Sequence, residues 1–176
     1  MKLFEVIRSA GKGAIVANLA AEAGLDRGAA EEGLRALLPE LGRVIRRAGE
    51  AGARTPSLEA ALRDERHARY LDDPAALREP AAAADGERVL GEVLGAEQRD
   101  ELVRRVAATS GAGETELRRL LPLVATLAMA ALGGHLREPT PEIPWFGTRP
   151  SDHFDAPLLN ALAAMFERDD EQSEGA

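Results

Sequence analysis

Three histidines, His67, His135 and His153, are the chain's only imidazoles. Imidazole titrates near neutrality and ligates transition metals, so these residues are the first candidates for proton transfer or metal binding. His67 sits in the run RHARYLDDPAAL. On a helix it shares a face with Asp64 and with Tyr70, each three residues away. His67, Tyr70, Asp72 and Asp73 are therefore a candidate polar site for acid–base or metal chemistry. The opposing reading is that Asp72-Asp73 stands directly before Pro74, where a carboxylate commonly caps a new helical turn. The second polar cluster, Ser151-Asp152-His153-Phe154-Asp155, has too few ligands for a closed zinc site and reads as turn and cap chemistry.

Other motifs carry less. Gly11-Lys12-Gly13 lacks the earlier glycine and the Ser or Thr after Lys that a phosphate loop needs. No serine lies in a Gly-x-Ser-x-Gly elbow. Adjacent carboxylates such as Glu31-Glu32 point about 100° apart on a helix and form no dyad by themselves. Cysteine is absent, which excludes thiol nucleophiles, disulfides and cysteine-ligated clusters. No catalytic residue, metal ligand set or cofactor is assigned, and an enzyme or metal site around His67 stands as a minor alternative.

The elements that would position these residues are helices. Alanine, leucine, arginine and glutamate dominate the 176 residues, while aromatics make up 3%. That composition favours helix and starves a sheet of its usual fillers. Helices are predicted over residues 3–10, 14–23 (stopping at Gly24), 28–38 after an Asp26 cap, and 39–48. Pro39 predicts a break or kink at Leu38. Leu34, Leu37, Leu38, Leu41, Val44, Ile45 and Ala48 form one apolar stripe, with Arg43, Arg46 and Arg47 on the opposite side near the helix end. Residues 49–56 read as a loop and 57–70 as a polar helix. Asp73-Pro74 starts a short segment to Arg78, and residues 80–85 read as a linker. Asp85 is expected to cap a helix over 87–94. Further helices are predicted over 96–108, 114–121 and 122–132, the last two parted at Pro122.

The second half repeats the first. A shift of 83 places Leu34 on Leu117, Arg35 on Arg118, Leu37-Leu38-Pro39 on Leu120-Leu121-Pro122 and Ala48 on Ala131 without a gap. Two copies are too few for an open solenoid. The expected fold is all-α: a helical bundle of two related repeats, about 17–48 and 100–131, within a domain spanning 1–135.

The short N-terminal helix, NLAAEAGLDRGAAEEGLRALLPEL, RHARYLDDPAAL, DGERVLGEVLG and LRRLLPLVATLAMAALGG together resemble the YidB-like bacterial family of unknown function (domain of unknown function 937). The resemblance covers residues 14–135 and is most specific over 67–74 and 85–95. It implies an all-helical fold and no particular activity.

Beyond residue 135 lie a proline-rich arm (136–155), a short C-terminal helix (156–168) and an acidic tail (169–176). The arm carries Trp145, the single tryptophan, beside Phe146. The helix places Leu158, Leu159, Leu162, Met165 and Phe166 in phase. A short helix is marginal alone in water, so its apolar face needs a surface. Trp145, Phe146, Leu158, Leu162 and Phe166 are therefore candidate partner-binding residues, and a protein partner or self-association is expected. The competing expectation is that arm and helix dock on their own domain.

The formal net charge of −8 argues against a nucleic-acid partner. DNA binding through the helix-turn-helix-like residues 18–34 and their repeat, which bears Arg104, Arg105, Arg118 and Arg119, remains the alternative. No signal peptide is read, and the apolar run 120–134 falls short of a bilayer span. The location expected is cytoplasmic. The function expected is a non-enzymatic interaction or scaffolding module.

Overall fold

The computed structural model describes residues 3–50, 60 and 62–137, with backbone only for 46, 48–50 and 135–137. Every regular element among the described residues is helical: α1 (Leu3–Ser9), α2 (Ala14–Ala23), α3 (Arg27–Glu50), α4 (Pro80–Val93), α5 (Ala96–Ser110) and α6 (Glu114–Arg137). The connector between α3 and α4 contains 3-10 turns at Glu65–His67 and Pro74–Arg78 and one α-helical turn at Arg69–Asp72.

Local chemistry sets most of the boundaries. Gly24 and Gly111 end α2 and α5 in the left-handed conformation, at φ 73° and 70°. Asp26 accepts from the Ala29 N–H at 2.9 Å and caps α3. Asp73 accepts from the Ala75 N–H at 3.0 Å, with Pro74 in the first turn behind it. Between α1 and α2, Gly11, Lys12 and Gly13 all adopt positive φ. A Cβ on Gly11 would lie 2.0 Å from Pro74 Cγ, so this turn is pressed against the connector.

α6 is the axis of the molecule. Its residues 120–133 are buried on every side, and the other described helices and the connector pack round it. A helix that is apolar all round belongs in a core. Glu114–Gly134 is long and apolar enough by length and composition to cross a membrane, which corrects the expectation drawn from 120–134 alone; 83% of its most apolar window is buried within the protein.

Four expectations about the elements need correction. First, neither Pro39 nor Pro122 breaks its helix: α3 and α6 each run for 24 residues. An internal proline costs on the order of 3 kcal/mol. Here the apolar side chains on both sides, Leu37, Leu38 and Leu41 in α3 and Leu120, Leu121 and Val124 in α6, are buried and outweigh that cost. Second, residues 80–85 are the first turns of α4. Pro80 fits the N1 position and four alanines follow it, so Asp85 lies inside the helix and caps nothing. Third, the predicted helix over 57–70 is interrupted at Asp64, which is extended (ψ 102°) and accepts from the Arg66 N–H at 3.1 Å. Fourth, the first two residues of the loop placed at 49–56 are helical, because α3 continues to Glu50; residues 51–59 lie outside the described ones.

The two halves share the order helix, turn, proline-containing helix. Under the shift of 83, Leu34, Leu37, Leu38, Leu41 and Ile45 pair with Leu117, Leu120, Leu121, Val124 and Ala128, all of them buried. The turns do not obey that shift. Gly24 and Gly111, like the starts of α3 and α6 at Arg27 and Glu114, are 87 residues apart. The prolines therefore sit one helical turn deeper in α3 than in α6, and four residues is the spacing that restores a helix face.

Candidate polar site on the connector

The sequence run 62–78 crosses the bundle as a strap, and its anchor is Tyr70. This tyrosine is fully buried, and its hydroxyl donates to Asp85 Oδ2 of α4 at 2.8 Å. Arg69 Nη2 donates to the same hydroxyl oxygen at 3.0 Å and to Glu79 Oε2 at 3.1 Å. The Arg69 guanidinium also lies 4.7 Å from the Tyr70 ring centre, in cation–π range. Burial first, and the bond to Asp85 second, push the phenol above its ordinary pKa, so it stays protonated and donates.

A second group flanks this pair. Arg66 forks onto Asp64, with Nε–Oδ1 at 2.9 Å and Nη2–Oδ2 at 2.6 Å. Arg88 of α4 reaches Asp64 at 3.5 Å and Asp85 at 3.6 Å, so one guanidinium bridges connector and helix. The Arg66 side-chain hydrogen bond holds the Asp64 carboxyl well below the usual carboxylate range. His67 is 1% exposed and its positive charge, when present, favours ionised Asp64 in the same direction. The opposite end of the strap is tied by Asn18 Nδ2 of α2, which donates to the Pro74 carbonyl at 2.7 Å.

Of the four residues singled out in the sequence, the structure therefore brings His67 and Tyr70 into the interior and leaves Asp72 and Asp73 on the surface. Asp73 is a cap. The residues missed were Asp85, Arg88 and Glu79. Asp85 was placed as a helix cap, and its spacing from Tyr70 has no local periodicity that could have revealed the bond. The two stretches that looked most specific, 67–74 and 85–95, meet at this Tyr70–Asp85 contact.

No group of three or more metal-ligating side chains occurs among the described residues. The arrangement fastens elements: its charged atoms pair with one another across the connector and α4. The helix-turn-helix-like hairpins behave similarly. Glu31 and Glu32 lie within 3.7 Å of Arg35, Arg104 pairs with Glu101 at 2.9 Å, and Arg105 reaches Glu40 at 3.6 Å. Arg118 pairs with Asp100 and Glu114. Arg43 pairs with Glu40 at 2.6 Å, while Arg47 is exposed. Trp145, Phe146, Leu158, Leu162 and Phe166, with the 151–155 cluster, lie outside the described residues.

These features define an all-helical domain wound round a buried central helix and buckled by a tyrosine–aspartate bond. The chain belongs to the bacterial family of unknown function DUF937, whose model matches residues 5–135. The comparison with curated proteins found no match, and neither did the comparison with solved structures.

Proposed function

We propose that this protein is a non-enzymatic interaction or scaffolding module whose helical body presents a recognition segment at residues 138–176. The observation that carries the reading is where the large apolar side chains go. Every described Leu, Ile, Val, Phe, Met and Tyr side chain is buried or partly buried, so among the described residues no large apolar side chain stands fully in water. In the sequence, Trp145, Phe146, Leu158, Leu162 and Phe166 follow the family match, which ends at residue 135. Aromatic and aliphatic anchors of this kind dominate the energetics of protein interfaces.

Charge supports the same division. Nine of the 30 carboxylates and two of the 22 Lys and Arg residues follow Arg137. The formal charge is thus −7 on residues 138–176 and −1 on residues 1–137. The partner proposed is a protein or a second copy of this chain, meeting it in the cytoplasm. An acidic, apolar segment is steered towards a basic groove, and charge of this density acts on encounter rate and specificity more than on final affinity.

The test compares the full chain with one cut after Arg137, by light scattering and by capture from native cell extract. Capture or self-association by the full chain alone, reversed by a synthetic 138–176 peptide, is the expected result. Equal capture by the cut chain places recognition on the body and overturns the proposal. So does a cut chain that loses stability while the full chain captures nothing, since the segment then serves its own domain.

A further inference from the structure

We draw no further inference here: the strongest candidate, the exposed alanine face of α2 (Ala14, Ala17 and Ala21) with Arg27 beside Gly13 at one end and Arg119 beside Gly24 at the other, is a stripe of small residues, and nothing in the structure shows what covers it.

Discussion

Tyr70 shows how one hydroxyl can hold a connector that has little regular structure of its own. Removing the hydroxyl by Tyr70→Phe leaves Asp85 without its buried donor, although Arg88 still stands 3.6 Å away. A buried polar group that loses its partner costs about 1–3 kcal/mol. We expect Tyr70→Phe to lower the unfolding free energy by that amount in urea titration. Asp85→Ala combined with it should cost less than the two single changes summed. Full additivity would mean that the 2.8 Å contact contributes nothing to stability.

The same residue scale sets the acid limb. Asp64 has a depressed carboxyl pKa in the folded chain, first because of its hydrogen bond from Arg66. A depressed folded value means that the unfolded state binds the proton more readily. The resulting stability is present above the unfolded value near 4 and is lost as pH falls from there towards the folded value. Tyr70 gives the alkaline counterpart. Its raised value contributes stability below about pH 10 that is lost as pH climbs further. Asp64→Asn should flatten the acid limb of a pH–stability curve and leave the alkaline limb unchanged. An acid limb identical to that of the parent would show that Asp64 is not its source.

At the scale of elements, the closest approach is between α4 and α6. A Cβ added at Gly86 would lie 1.9 Å from the Pro122 carbonyl oxygen, a backbone atom that cannot swing aside. One helical turn further along the same interface, Thr126 Oγ1 donates to the Ala82 carbonyl at 2.8 Å in a buried position. Gly86→Ala must therefore part the two helices, and overpacking of this kind costs about 1–3 kcal/mol or more. Gly91 lies on α4 as well, but a Cβ there meets nothing within 4 Å. Gly91→Ala should stabilise the protein by about 0.5–1 kcal/mol through helix propensity alone. Opposite signs for the two substitutions in thermal unfolding are the expected result, and a shared sign would contradict the packing of α4 on α6. Gly33 plays a milder version of the same part on α3, where a Cβ would fall 2.8 Å from the Leu120 side chain.

The leucines beside the two prolines belong to this scale too. Leu38 and Leu121 are each 1% exposed. Replacing either by alanine should cost about 2–5 kcal/mol, measured by the shift in the denaturation midpoint. An unmoved midpoint for either would remove it from the core and leave its proline-containing helix without the burial that offsets the ring.

For the whole molecule, the division of charge shapes what the surface can do. Because residues 1–137 carry a formal −1, the body neither repels nor attracts a polyanion strongly, and most of the described arginines are engaged by carboxylates. Phosphate neutralisation needs cations that can be given up to the duplex. We therefore expect no sequence-selective DNA complex at physiological salt from the full chain or from the chain cut after Arg137. A salt-resistant shift with duplex DNA would reverse this reading of the hairpins.

How far the sequence reached follows from the range of the forces involved. The all-α class, the ends of α1 and α2, the Asp26 cap, the Asp73-Pro74 turn and the leucine stripes were legible because they depend on propensity, capping and periodicity within one or two turns. Family membership was legible in the same way, through runs such as RHARYLDDPAAL and DGERVLGEVLG. The continuity of α3 and α6 through Pro39 and Pro122 was not, because it rests on burial against helices distant in sequence. Asp85 was misplaced for the same reason: locally it looks like a cap, and only folding brings Tyr70 within 2.8 Å of it. The one-turn offset between the two hairpins was hidden because the matching Leu-Leu-Pro runs dominate the alignment while the turns lie elsewhere. Short-range backbone chemistry is written in neighbouring residues. The partners that override it, close a connector or set the depth of a proline are chosen by tertiary packing, which no local pattern records.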